Sequence, residues 1–219
     1  ETRSKGCHIL LGPAVNIHRT PLCGRNFEYY SEDPHLAGRM AVAYIQGLQS
    51  QGAGVSLKHY ALNNAEFERF SMSSEVSERA MREIYLPAFE AAVKEADPWT
   101  IMCSYNKING TWASENHMLL TEILRKEWGF KGLVVSDWGA VHNRILSSQA
   151  GLDLEMPGVG PIAIKILVGA VQRGLVDEAI LDEMVRRILR VVWLAHADGR
   201  AQAFEPEAAR TPENTALAR

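Results

Sequence analysis

Lys131-Gly132-Leu133-Val134-Val135-Ser136-Asp137-Trp138-Gly139 is the stretch from which the fold can be read. Leu133, Val134 and Val135 are apolar, two of them β-branched, and such a run specifies a strand buried on both faces. The strand runs directly into Ser-Asp-Trp-Gly. In parallel α/β architectures the loops after the strands converge at the strands' C-terminal ends, so polar chemistry gathers there. Asp137, with Trp138 beside it, is therefore a catalytic candidate. Its blander role is a strand-end carboxylate that caps a helix or pairs with a cation.

The same succession of apolar run and polar loop recurs along the chain. Cys7–Ile17 reads as a short strand broken by Gly12-Pro13, Val55–Tyr60 as the second and Thr100–Tyr105 as the third. The Asp137 strand is the fourth, and Gly151–Gly158 supplies a short fifth. Helices are expected over about His35–Gln51, where Asp33-Pro34 forms the start, and over Ser77–Ala96, where Pro87 kinks or splits the helix. Others follow over Asn116–Trp128, then to about Ala150, then as a closing pair whose second member runs from an Asp177 cap to about His196. Strand and helix thus alternate about five times, which specifies a parallel α/β sheet, barrel or doubly wound. No GxGxxG follows the first strand, so a dinucleotide site is not supported. A complete eight-unit barrel takes about 250 residues. Five units match a truncated (β/α)8 TIM-barrel-like domain over residues 1–196, with residues 197–219 as a linker rich in Ala, Pro, Glu and Arg. The chain starts at Glu1 and enters a strand almost at once, so it reads as a piece of a longer protein whose compartment stays unassigned.

With 47% hydrophobic and 22% charged residues, the composition is that of an ordinary globular domain. A net charge of −3 provides no basic field, so nucleic acid is not an expected partner. No apolar run approaches membrane-spanning length, so no membrane association is expected. Cys7, Cys23 and Cys103 cannot all pair internally and lack CxxC spacing, and the histidines are scattered without HExxH. Neither a metal nor an organic cofactor is expected.

The loops after the strands hold Arg25, Lys58, His59, Arg69, Tyr105, Asp137 and Trp138. If these loops meet at one rim, three cations and a histidine face one carboxylate, and their fields favour the charged form that a nucleophile needs. Arg and Lys can grip the hydroxyls of a polyol, and Trp138 offers an apolar face to a sugar ring. Adjacent strand residues point to opposite faces, so Lys58 and His59 reach one pocket only where the strand has ended. Competing roles pair Arg25 and Arg69 with Glu28, Glu66 or Glu68, make His59 a brace, and place Met102 in the core. Trp99, Trp112, Trp128 and Trp193 read as packing residues, and the cysteines as buried small apolar groups.

Gly24-Arg25-Asn26-Phe27-Glu28, Ser31-Glu32-Asp33-Pro34, Lys58-His59-Tyr60, Met102-Cys103-Ser104-Tyr105-Asn106, Val135-Ser136-Asp137-Trp138 and Gly151-Leu152-Asp153-Leu154-Glu155-Met156-Pro157-Gly158 stand in order along the chain. In sequence and interval they resemble the motifs of glycoside hydrolase family 3, most closely its β-glucosidase branch. The resemblance implies a retaining β-glucosidase that hydrolyses terminal β-D-glucosyl residues of a β-glucoside or oligosaccharide. It assigns Asp137 as the nucleophile that forms a glycosyl-enzyme. Arg25, Lys58, His59 and Arg69 then bind the sugar in subsite −1, Tyr105 sits beside the nucleophile, and Met102 and Trp138 shape the pocket. It also implies a second sugar-binding Asp upstream of these residues and a general acid/base Glu on a C-terminal α/β sandwich domain, both outside this chain. The 219 residues alone are accordingly expected to turn over little or no glycoside. Lys58-His59 is followed by Tyr60-Ala61-Leu62-Asn63-Asn64 without the glycines of the β-N-acetylglucosaminidase branch, which is disfavoured. The alternatives are a β-xylosidase or broad-specificity β-glycosidase on the same scaffold, and a non-catalytic sugar-binding module. A metal-dependent barrel enzyme lacks the clustered ligands it needs.

Overall fold

The computed structural model describes residues 1–197 and 211–217. Its elements are β1 (Ile9–Leu10), α1 (Pro34–Gln49), β2 (Gly54–Tyr60), β3 (Ser73–Ser74), α2 (Glu78–Ala80), α3 (Pro87–Ala96), β4 (Thr100–Cys103), β5 (Lys107–Ile108), β6 (Thr111–Trp112) and β7 (Leu133–Ser136). They continue with α4 (Arg144–Ala150), α5 (Pro161–Gln172), α6 (Glu178–His196) and α7 (Pro212–Leu217). The main sheet is parallel in the order β1-β2-β4-β7, and a parallel bridge from Val135 to Leu154 extends it past β7. Each strand lies beside the one before it, without the reversal of order of a doubly wound sheet, so the winding is barrel-like. The small β3-β5-β6 sheet is separate. Its β5–β6 hairpin turns on Asn109-Gly110, both with positive φ, which is the conformation that Asn-Gly adopts at least cost.

The local signals act where expected. The Asp33 carboxylate accepts the His35 N–H at 2.8 Å and starts α1, and Asp177 accepts the Ala179 N–H at 3.0 Å and starts α6. Pro87 splits the Ser77–Ala96 segment, opening α3 after a wider-wound stretch, Met81–Tyr85. Met118–Glu127 is also wider-wound and stops before Gly129.

Two strands are shorter than the sequence pattern implies. The first is only Ile9–Leu10 plus one bridge from Ala14 to Lys58, because Pro13 has no N–H to give the ladder. The fifth is the single bridge at Leu154: the Asp153 carboxylate takes the Val134 N–H at 2.7 Å, where a neighbouring strand would have paired. Of the residues read as a linker, Pro212–Leu217 form α7, and 198–210 and 218–219 lie outside the described residues.

One face of the sheet packs Val55, Leu57, Ile101, Cys103 and Val134 against Ala41 and Ile45 of α1, Phe89 of α3, and Leu120, Ile123 and Leu124. Fully burying a side chain such as Phe89 or Leu57 contributes about 1.5–3 kcal/mol. On the opposite face, at the start of β2, Gly54 is required, because a Cβ would come within 2.2 Å of the Trp99 ring. α6 crosses toward the N-terminal ends of the strands, with Val191 and Ala195 against Trp99 and Leu133. That leaves the C-terminal ends open. Trp99 and Trp128 pack as expected, but Trp193 is exposed, on the face of α6 turned away from this cluster. Cys23 and Cys103 are buried, Cys7 is exposed, and all three are free.

Candidate active site

Asp137 follows β7 directly and is 7% exposed. Its Oδ1 accepts the Trp138 N–H at 2.7 Å, and its own N–H donates to the Cys103 carbonyl at 3.2 Å. Oδ2 is buried with no hydrogen-bond partner among the described residues. An orphaned buried acceptor costs about 1–3 kcal/mol, more when charged, and needs an explanation. One oxygen is thus fixed and the other is held free.

His59 Nε2 lies 3.7 Å from that free oxygen. Both Lys58 and His59 enter the site because β2 bulges: Leu57 pairs with Ile101 and Tyr60 with Cys103, so β2 carries one extra residue. The Lys58–His59 and Tyr60–Ala61 peptide bonds within this stretch are cis. The His59 ring is 1% exposed, and burial, then the charges of Arg25, Lys58 and Arg69, push it down to about 2. It is neutral, so its approach to Asp137 is not an ion pair.

The three cations arrive already paired. The Asn26–Glu28 turn sets Arg25 and Glu28 three residues apart, and Arg25 Nε donates to Glu28 Oε1. Lys58 Nζ lies 3.1 Å from the second oxygen, Glu28 Oε2. Burial raises the Glu28 carboxyl, but the Arg25 hydrogen bond and the Lys58 charge outweigh it and hold the group below its ordinary range. Arg69 Nη1 donates to Glu66 Oε2 at 2.7 Å, and Glu66 Oε1 accepts from Asn63. The carboxylate competitors named from sequence are therefore present, with Glu66 rather than Glu68 serving Arg69. The Arg69 guanidinium also lies over the Tyr105 ring at 4.7 Å. Burial, then the charge of Asp137 and the phenol's own side-chain approach to that carboxylate, push Tyr105 up to about 12, so it stays a protonated donor beside Asp137.

Met102 is buried on β4, on the face opposite Ile101 and Cys103, and Trp138 is 41% exposed beside the carboxylate. Arg25, Lys58, His59, Arg69, Tyr105 and Asp137 form one connected group. A cavity of about 330 Å³ between α4, α5 and α6 contains none of them. Among the described residues no three His, Cys, Asp or Glu side chains are grouped to hold a metal ion.

Sequence reasoning passed over Asn16 and Tyr29, which both contact His59. The rule that singled out Asp137 finds Asn16 as well, a polar residue at the end of the Ala14-Val15 run. Tyr29 had no such mark, since it sits in a loop crowded with polar and aromatic residues.

The group holds a carboxylate with one free oxygen, a neutral imidazole acceptor and several donors for neutral hydroxyls. Residues 1–191 match the model of the glycosyl hydrolase family 3 N-terminal domain. Thermostable β-glucosidase B of Acetivibrio thermocellus is 53% identical over 195 residues, which are 89% of this chain and 26% of that protein. An exo-α-(1→6)-L-arabinopyranosidase of Bifidobacterium longum is 54% identical over 84% of this chain and 24% of its own. The structure of β-glucosidase 3B from Thermotoga neapolitana in complex with glucose matches 99% of this chain and 31% of its own, with a TM-score of 0.90 and 46% identity. The chain thus spans about a quarter of the length of the curated relatives it matches. On its strand order, its strand-end residues and this match over nearly the whole length, the chain belongs to glycosyl hydrolase family 3, within the TIM-barrel-like N-terminal domain.

Proposed function

We propose that this chain carries the nucleophile and the sugar-binding half of a retaining β-glucosidase acting on terminal β-D-glucosyl residues. The single observation that carries the mechanism is the Asp137 carboxylate, with Oδ1 fixed by the Trp138 amide and Oδ2 buried and unpartnered. An Oδ2 lone pair forms a bond to the anomeric carbon as the bond to the leaving oxygen breaks, and that oxygen takes its electron pair and a proton from a general acid. Water then attacks the same carbon, giving up its proton to the conjugate base and releasing Asp137. Arg25, Lys58, Arg69 and Tyr105 donate to ring hydroxyls, His59 accepts, and Trp138 and Met102 bound the apolar side.

Retaining hydrolysis needs a second carboxyl group about 5–5.5 Å from the first. Glu28 and Glu66 are each held by cations. As the family resemblance implies, the acid/base in this reading is a Glu of a C-terminal α/β sandwich domain that follows the 197–219 segment. The relatives' greater length supports this. On its own the 219-residue chain has little or no turnover.

The test is intact-mass trapping of the full-length protein with a 2-deoxy-2-fluoro-β-glucoside bearing a dinitrophenolate leaving group. A stable adduct on the peptide containing Asp137 is expected, and its absence despite sugar binding sinks the mechanism in favour of a binding module. A second reading, a pentopyranosidase of broader specificity, is favoured by the relative named an arabinopyranosidase. Comparing kcat/KM for aryl glucoside, xyloside and arabinopyranoside separates the two.

A further inference from the structure

The backbone of His59 sets the polarity of its hydrogen bonds with Asn16. The backbone N–H of His59 donates to Asn16 Oδ1 at 2.9 Å, and the backbone carbonyl of His59 accepts from Asn16 Nδ2 at 2.9 Å. A backbone N–H can only donate and a carbonyl can only accept, so the Asn16 amide has one possible orientation. Its Oδ1 is therefore an acceptor 3.3 Å from His59 Nδ1. On the other side, the Tyr29 hydroxyl has the Asn63 carbonyl at 3.2 Å as its nearer acceptor, and donation there satisfies that carbonyl. What it turns to His59 Nδ1, at 3.5 Å, is a lone pair. Both neighbours of Nδ1 accept, so Nδ1 carries the proton.

We propose that Asn16 and Tyr29 are positioning residues that hold His59 as its Nδ1–H tautomer, so that Nε2 faces Asp137 Oδ2 as a second acceptor and leaves that oxygen free to attack carbon. Two acceptors at 3.7 Å have no hydrogen between them, which accounts for the orphaned Oδ2. A ring with its proton on Nε2, or doubly protonated, donates to Oδ2 and occupies the lone pair that the reaction uses. The empty pair of acceptors also defines what enters between them: the O–H of a neutral sugar hydroxyl, which donates to Nε2. The groups that act on the ring are Asp137 after β7, Arg25 and Tyr29 before α1, Lys58 on β2 itself and Arg69 in the loop after β2, with Glu28 and Glu66 paired to these cations. Three cations near the ring reinforce its neutrality.

The inference rests on Asp137 being the nucleophile, and the experiment keeps the two apart. The rate of labelling of the full-length protein by the 2-fluoro-glucoside dinitrophenolate is followed against pH. This leaving group needs no proton, so the general acid is silent. Asn16→Asp puts a negative charge beside Nδ1 and favours the protonated ring. His59 then gains a proton as pH falls and captures Oδ2, so the acidic limb of the labelling profile moves upward by at least one pH unit. Tyr29→Phe keeps the ring packing and removes only the hydroxyl, and labelling at the optimum slows at least tenfold. A merely structural role lowers the labelled fraction without moving the limb. If Asn16→Asp does not fold, the Tyr29→Phe rate alone decides. Wild-type labelling at Asp137 with an unmoved limb in the first variant and an unchanged rate in the second overturns the tautomer inference alone. A wild-type protein that takes up no label overturns the nucleophile assignment and this inference together.

Discussion

Asp153→Ala is the substitution whose cost can be worked most directly from the structure. The Asp153 side chain is fully buried, with Oδ2 accepting from Arg125 Nη2 at 2.6 Å and from the Val134 N–H at 2.7 Å, and Oδ1 accepting from Arg187 Nη1 at 2.8 Å. One carboxylate thereby ties α6, the Met118–Glu127 helix and β7 together. Hydrogen bonds to a charged group contribute about 1.5–3 kcal/mol each, so three sum to about 4.5–9 kcal/mol. The sum overstates the loss. Arg125 keeps the carbonyls of Gly132 and Gly151, and Arg187 keeps Glu183 and a partly exposed face. Removing one member of a buried pair typically costs about 3–5 kcal/mol, and that is the figure expected here. A global melt averages this site with the rest of the chain, so it is the wrong assay. Hydrogen exchange of the β7 amides reads the local opening instead. Exchange at Val134 and Ser136 should accelerate by about two to four powers of ten, with Asp153→Asn in between, because it keeps the shape and loses the charge. Exchange in Asp153→Ala within threefold of wild type would refute the argument.

Glu28→Gln removes the carboxylate shared by Arg25 and Lys58, and kcat/KM for an aryl β-glucoside should fall about 10- to 100-fold, the worth of one charge-assisted contact of about 1.5–3 kcal/mol. An unchanged kcat/KM means that the two cations are placed by something else. His59 is held neutral, down to about 2, while its unfolded counterpart takes up a proton near 6.5, so the unfolded state binds more protons across that window. Its contribution to stability is complete above pH 6.5 and is lost as pH falls towards 2, at about 1.4 kcal/mol per pH unit. His59→Asn should show a flatter decline of stability from pH 6 to 4.5, and parallel declines count against the reading. An aryl β-glucuronide should be at least tenfold poorer than the glucoside for the wild-type protein, and equal kcat/KM would show a cation free to receive its carboxylate.

Much of this could be read from the chain itself, for identifiable reasons. β7 and α6 are legible because each carries one dominant local signal, a continuous apolar run in the first and an Asp177 cap before a long amphipathic stretch in the second. Gly151–Gly158 forms less strand than its apolar pattern implies, because its geometry is decided by a side chain: Asp153 takes the Val134 N–H that a longer strand would have paired. No sequence period encodes that. The simultaneous entry of Lys58 and His59 was equally out of reach, since a bulge depends on the register of two strands and appears in neither alone. Asp137 and its ring of cations were legible because strand ends converge in this architecture. What those cations do before substrate arrives was not, because Glu28 and Glu66 could be named as competitors but not ranked against a ligand.

That last point changes the electrostatic character of the site. Counted as unpaired groups, Arg25, Lys58 and Arg69 opposite Asp137 make a positively charged pocket suited to an anion. In the folded chain Glu28 holds two of them and Glu66 the third, so three cations stand against the three carboxylates Glu28, Glu66 and Asp137. The charges balance, and His59 adds none because it is neutral. A balanced site has no net attraction for an anion, yet each bound cation keeps N–H groups that its partner does not use. Such groups are oriented donors at fixed positions, which is what a ring of neutral hydroxyls requires. The carboxylates also hold the long side chains in place before binding, so less conformational freedom is lost when the sugar arrives. On this view Glu28 and Glu66 are not rivals of the substrate for the cations. They convert three mobile charges into a pre-ordered set of hydrogen-bond donors around one free carboxylate oxygen.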